Sequence, residues 1–240
     1  MSRFHPPRRR RGLLLPLAIA ASLGAVSTAQ ALTFNGNATL TTDYVWRGST
    51  QSDGEPAAQA GFKVSGDTGF YASAWGSSIK FAPALDASTE LDFTLGWSGK
   101  LSEDWAVDAN VLRYHYPGTT VDLDWTELDG TLTYRDNYWL SAGWSNEALG
   151  YDHSGLYTQI GARFPLDDHF RLEAMVSHYF LSRDVVARDG YTHAQVNAIW
   201  AFHAPFELRL SGHATDGHAK AIFGDDVAGT RVEAALQAAF

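Results

Sequence analysis

The side chains that could do chemistry in this chain are nine histidines and 27 acidic residues, with no cysteine among 240 positions. Thiolate metal sites and disulfides are therefore excluded. A zinc site built from histidine and carboxylate needs close ligand spacing. His213 and His218 are five apart but straddle a long loop, and His193 and His203 fall on different strand ends. The spacing predicts solvated loop and lumen histidines, with no metal and no cofactor. A lipid hydrolase would need a serine and a histidine within reach of each other and a third group to orient them. Ser177 and His178 are adjacent, which on a strand sends them to opposite faces. No Gly-x-Ser-x-Gly elbow occurs. No enzyme is expected, and the remaining chemistry is electrostatic: charges recurring at every second position.

That spacing requires strands. After Leu32 apolar and polar residues alternate with period two, the mark of a strand with two unlike faces. Val232, Ala234, Leu236, Ala238 and Phe240 share one face against Arg231, Glu233 and Gln237. Leu91, Phe93, Leu95 and Trp97 alternate with Glu90, Asp92 and Thr94. The pattern predicts twelve strands, at 33–46, 57–66, 70–81, 88–98, 105–116, 125–134, 138–147, 155–164, 170–180, 191–202, 206–215 and 229–240. Most have the ~9–11 residues that a tilted strand needs to cross a bilayer. No window offers the ~18 consecutive apolar residues of a helical span.

Residues 1–31 read differently. Arg3 and the run Arg8 to Arg11 precede an apolar stretch from Leu13 to Val26, and Ala29-Gln30-Ala31 closes it as a small-x-small cleavage site. This order predicts a secretory signal peptide over 1–31, with the barrel over 32–240. The chain has 18 basic and 27 acidic residues. Losing five arginines and no acid would leave 13 against 27, a net charge of −14. So acidic a chain is ill suited to nucleic acid.

Tight links such as Gly66 to Gly69, Arg135 to Asn137 and His203 to Pro205 alternate with long ones such as Arg47 to Pro56 and Asp216 to Ala228. Short periplasmic turns and long outer loops imply a closed antiparallel transmembrane β-barrel of the bacterial outer membrane. Aromatic pairs flank the tight turns, among them Tyr134 with Tyr138 and Phe202 with Phe206, and would form a periplasmic girdle in contact with lipid. Tyr44, Trp46, Tyr114, Tyr116, Trp144, Tyr151, Tyr179 and Tyr191 would form the outer girdle.

The opposite face carries Lys63, Glu90, Asp92, Asp108, Glu127, Asp129, Arg163, Arg171, Glu173, Glu207, Arg209, Arg231 and Glu233. Charges in that number cannot sit in a dry core, so they are expected to line a wet lumen. Eight acids against five bases predict a weakly cation-selective channel for small hydrophilic solutes. A lumen filled by its own side chains, in a structural or adhesive barrel, is the alternative, and a lipid-modifying enzyme comes third. Arg47-Gly48 opens the first long loop and has two readings. The loop folds into the lumen, where Arg47 pairs an inward acid, or Gly48 simply permits a turn that Arg47 anchors. Arg113 falls in phase with Val107, Ala109 and Val111, which would send it outward to the headgroup layer.

The stretch Asp43-Tyr44-Val45-Trp46-Arg47-Gly48-Ser49-Thr50-Gln51 resembles the Asp-Tyr-x-x-Arg-Gly-x-Ser-Gln signature of the TorF-type family of proteobacterial outer-membrane porins. Further matches are Gln59, Gly69 to Ser77, Glu90-Leu91-Asp92 and Tyr114 to Gly118, with Thr50 standing where serine is expected. The resemblance implies an outer-membrane pore and singles out Asp43, Tyr44, Arg47, Gly48 and Gln51. The last strand ends on an aromatic residue, Phe240, which resembles the mark that outer-membrane barrels present to their insertion machinery. Lipids, that machinery and small solutes are the expected partners.

Overall fold

The computed structural model describes residues 31–240, so the leader reading at 1–31 lies almost wholly outside the described residues. Twelve strands form one closed antiparallel barrel. They are β1 Leu32–Thr41, β2 Ala57–Gly66, β3 Phe70–Ser78, β4 Thr89–Lys100, β5 Trp105–His115, β6 Trp125–Tyr134, β7 Tyr138–Ser145, β8 Gly155–Pro165, β9 Phe170–Phe180, β10 Gly190–His203, β11 Phe206–Thr215 and β12 Arg231–Ala239. Each pairs with its sequence neighbours, and β1 closes the ring on β12, with Asn37 opposite Ala239 and Thr41 opposite Ala235.

Alternation sets which side of the wall each residue takes. On β12, Val232 is 69% exposed and Leu236 42%, while Glu233 between them is 6% exposed. Phe93 and Leu95 on β4 are likewise exposed, and Glu90 is buried. An apolar exterior around a polar interior is the inverse of a soluble barrel, and it is what a hydrocarbon solvent requires. Closure leaves no unpaired strand edge, so the backbone of the wall is satisfied without water.

Turns at one end are two to four residues long, and loops at the other run from nine to fifteen. The tight-turn end carries the girdle expected of it. Trp105 and Tyr134 have centroids 4.8 Å apart, Phe170 stacks on Trp200 at 5.8 Å, and Phe202 and Phe206 stack at 6.3 Å. In the turn before β9, the backbone N–H groups of His169 and Phe170 donate to Asp167 and hold its carboxyl below the usual range.

The first strand ends five residues earlier than its alternation predicts. At Thr41 the chain leaves the wall and turns into the barrel, where Val45–Trp46 pairs with Ser49–Thr50 in a short ribbon. The last long loop contains a helix that period-two reading missed, α1 Gly217–Phe223. Asp216 caps it by accepting from the N–H groups of His218 and Ala219.

Candidate functional site

Asp43 organises the inward turn. Its carboxylate accepts hydrogen bonds from the hydroxyls of Thr50 and Ser52 and pairs with Arg231 at 3.1 Å. Trp46 to Ser49 then make a two-residue hairpin turn. Arg47 and Gly48 both have positive φ, at 47° and 87°, the geometry that reverses a short ribbon in register. A side chain at position 48 would be strained twice over. A Cβ there would stand 2.5 Å from Thr215 Cγ2 and 2.8 Å from His193 Cδ2. Glycine is required because the ribbon tip lies directly on β10 and β11.

This turn thrusts Arg47 across the lumen. Its guanidinium makes a two-pronged pair with Glu127 of β6, at 2.9 and 2.8 Å, and Tyr114 adds a hydroxyl donor to the same carboxylate at 3.1 Å. The guanidinium also lies over the rings of Trp46, Tyr157 and Tyr179, 4.0–5.0 Å from their centroids. The Tyr191 hydroxyl donates to the Arg47 carbonyl at 3.0 Å. Both members of the pair are buried, the arginine side chain 10% exposed and the glutamate 1%. Losing one partner of a pair so enclosed costs about 3–5 kcal/mol, because the other charge stays buried. The two readings of Arg47-Gly48 thus both describe the loop: Gly48 permits the turn, and Arg47 pairs an inward acid.

Around this latch the outer half of the lumen is packed. Trp46, Tyr157, Tyr179 and Tyr191 meet Ala148, Leu149 and Leu181 from neighbouring loops, and Ala219, Ile222 and Phe223 of α1. Most of the expected outer girdle is therefore not a girdle. Tyr114, Tyr179 and Tyr191 are 1–3% exposed and point inward, while Tyr44, Trp46 and Tyr116 sit half-buried on the inturned loop and the outer rim. Only Trp144 and Tyr151 of the eight are exposed. The cause is parity. Tyr114 shares the phase of Asp108 and Asn110, and Tyr179 that of Arg171 and Glu173, so a lipid-facing place would break the alternation of their own strands.

The thirteen charges expected to face inward separate into two groups. On the β8–β12 side the bases are neutralised locally: Arg163 by Glu173 at 2.8 Å, Arg171 by Glu207 at 2.7 Å, Arg209 by Glu233 at 3.5 Å, and Arg231 by Asp43. On the β4–β6 side Glu127 is taken by Arg47, while Glu90, Asp92, Asp108 and Asp129 join no ion pair among the described residues. Asp108 accepts from Tyr71 Oη and Asn110 Nδ2 instead. Lys63, also without an ion pair among the described residues, places its ammonium 3.6 Å from the centroid of the Tyr71 ring.

Spacing along the chain did not disclose one cluster. His193 Nε2 lies 3.2 Å from His213 Nδ1, and His213 Nε2 lies 3.3 Å from Glu233 Oε2, a buried chain beneath Gly48. Both histidines are inward by phase and stand at similar height on a single hairpin, the signal that could have paired them. Among the described residues no group of three or more ligands suited to a metal occurs. Ser177 is buried and donates to the His193 carbonyl, whereas His178 lies on the other face beside Phe180. Arg113 faces outward, pairing with Asp124 at 3.3 Å on the outer rim. Burial works against the charge on Asp124, but the Tyr116 N–H, His115 and Arg113 together hold its carboxyl below the ordinary range. Gln51 donates back to the Ser49 carbonyl and hydroxyl, bracing the ribbon. Phe240 follows β12 and lies beside β1, its N–H bonded to the Gly36 carbonyl at 2.9 Å.

Solved structures with the same architecture include the KdgM porin, at TM-score 0.56 and 7% identity, covering 86% of this chain and 99% of that one. The NanC porin aligns at TM-score 0.55 and 10% identity, covering 87% and 99%. A second KdgM structure, in complex with disordered oligogalacturonate, aligns at TM-score 0.54 and 6% identity, covering 88% and 99%. At these identities the likeness is one of fold. No curated protein matches the sequence. A family model described as "Bacterial protein of unknown function (Gcw_chp)" matches residues 25–240, which take in the whole of the described barrel, and the chain belongs to that family.

Proposed function

We propose that this protein is an outer-membrane channel for passive diffusion of small hydrophilic solutes, weakly cation-selective and narrowed at its outer half by the first loop. One observation carries the reading: a closed barrel with an apolar exterior encloses a charged interior in which four carboxylates and one ammonium have no ion-pair partner among the described residues. A lumen whose uncompensated charge is mainly acidic concentrates counter-ions along the path. The sign argues against polyanions. One KdgM structure is a complex with disordered oligogalacturonate, an acidic chain, but in this barrel the β8–β12 arginines are each occupied by a carboxylate. The outer-membrane fold of the neighbours and the likeness of the Asp43–Gln51 stretch to TorF-type porins support the same reading.

A second reading has its own support. The Arg47–Glu127 pair and its aromatic surround would suit a barrel closed for good, serving as structure or adhesin. Proteoliposome swelling separates the two. Vesicles holding the refolded protein should swell in small neutral and cationic solutes, and more slowly in polyanions of equal size. Vesicles indistinguishable from protein-free ones, for wild type and Arg47→Ala alike, would leave the closed barrel standing.

A further inference from the structure

Directly beneath the Arg47 latch lies a cavity of about 380 Å³, bounded by β2 to β8. Its walls are chemically unlike the packed outer half. Ser73, Thr94, Thr131 and Ser141 offer hydroxyls, and Asn110 offers an amide. Two charges reach it uncommitted. Lys63 on β2 carries its ammonium over the Tyr71 face, and Asp129 on β6 carries a carboxylate. Neither joins an ion pair among the described residues, with each other or with anything else.

The sequence builds this arrangement from small residues. Tyr71 can lie flat across the lumen because Gly96 is beneath it: a Cβ there would come within 2.5 Å of the ring. Asp129 is seated against β7 because Gly143 faces it, where a Cβ would stand 2.5 Å from Asp129 Oδ1. A lone cation and a lone anion held apart on the walls of one cavity would lower their energy by meeting. The backbone holds them on strands four places apart, so a solute carrying both signs can bridge them.

We infer that this cavity is a binding site for a small zwitterion of the α-amino-acid class, its carboxylate on Lys63 and its ammonium on Asp129. The inference rests on the channel reading and names its solute class. The hydroxyl and amide walls favour a short polar side chain over a bulky apolar one. The cavity has room for a solute of that size together with a few waters. A solute of a single sign would leave one wall charge unanswered, which makes the site selective for the pair of charges rather than for either one.

The test is equilibrium binding of serine to the folded, detergent-solubilised barrel, read by calorimetry beside serine amide and N-acetylserine, which each lack one charge. Serine should bind, and each single-charge analogue about tenfold more weakly, since a charge-assisted hydrogen bond is worth roughly that factor or more. Lys63→Met and Asp129→Asn should each weaken serine by about tenfold, and Lys63→Arg should recover most of it. The shift in gel mobility on heating shows that each variant is folded. Serine failing to bind the folded wild type overturns the site, as does equal binding by the two neutral variants or by the single-charge analogues. Conductance of the same preparations separates the two claims. A conducting barrel that ignores serine refutes the site alone, and one that binds serine without conducting refutes the channel alone.

Discussion

Replacing Arg47 by alanine should widen the conducting path. In the wild type the guanidinium makes two short bonds to Glu127 and touches three aromatic rings, with the glutamate only 1% exposed. Truncation leaves Glu127 with the single Tyr114 donor at 3.1 Å. The loss of one partner from a buried pair is about 3–5 kcal/mol, and each cation–π contact adds about 0.5–2 kcal/mol. Much of that energy docks the loop, since the wall strands are held by their own ladder. At ~1.4 kcal/mol per factor of ten, the lower bound of 3 kcal/mol raises the undocked share of the loop on the order of 100-fold. Single-channel recording of the folded variant should show larger or longer openings than the wild type. Arg47→Lys should be intermediate, because an ammonium keeps the charge but not the fork. In the double variant with Glu127→Gln, the second substitution should add little, since the pair is already broken. Conductance and open time unchanged in Arg47→Ala, with normal heat-modified mobility, would refute the latch.

Changing Asp92, Asp108 and Asp129 to amides should move the reversal potential in a salt gradient toward anions. Glu127 is left out because its charge is already taken by Arg47, so its neutralisation would open the loop and confuse the readout. Phe240→Ser should lower the amount of folded barrel in the membrane while leaving export intact; unchanged folded levels would show that the terminus is not an insertion mark. Gly48→Ala, at a φ of 87° and with 2.5 Å to Thr215 Cγ2, should loosen the ribbon and raise conductance as Arg47→Ala does. A wild-type trace would mean that the close packing there is not needed. Fractionated cells should hold the chain with the outer membrane, migrating differently before and after boiling, and recovery from the soluble periplasm would contradict a membrane barrel.

The wall of this protein was legible because period-two alternation is imposed by the solvent on each side of it. Phe93 against Asp92, or Val232 against Glu233, can face only one way. What fills the barrel was less legible. The alternation of Tyr44 and Trp46 continues that of β1, so nothing local marks Thr41 as the last wall residue. The turn is fixed by Asp43 bonding to Thr50, Ser52 and the distant Arg231. The same parity that gave Asp108 and Arg171 an inward phase applied equally to Tyr114 and Tyr179. They were expected in the lipid girdle on residue type, and strand phase outweighed it. The stack of His193 on His213 depends on hairpin register rather than on sequence spacing. Helix α1 is too short for a 3.6-residue period to declare itself among loop residues.

The central claim, a conducting barrel with an acidic lumen behind a latched loop, is met most directly by planar-bilayer recording of the refolded wild type in a potassium chloride gradient, with Arg47→Ala alongside. The expected result is discrete current steps in the wild type, larger or longer in the variant, and in both a reversal potential displaced toward that of potassium. Silence from both proteins when each is demonstrably folded, or a reversal potential displaced toward that of chloride, would contradict it.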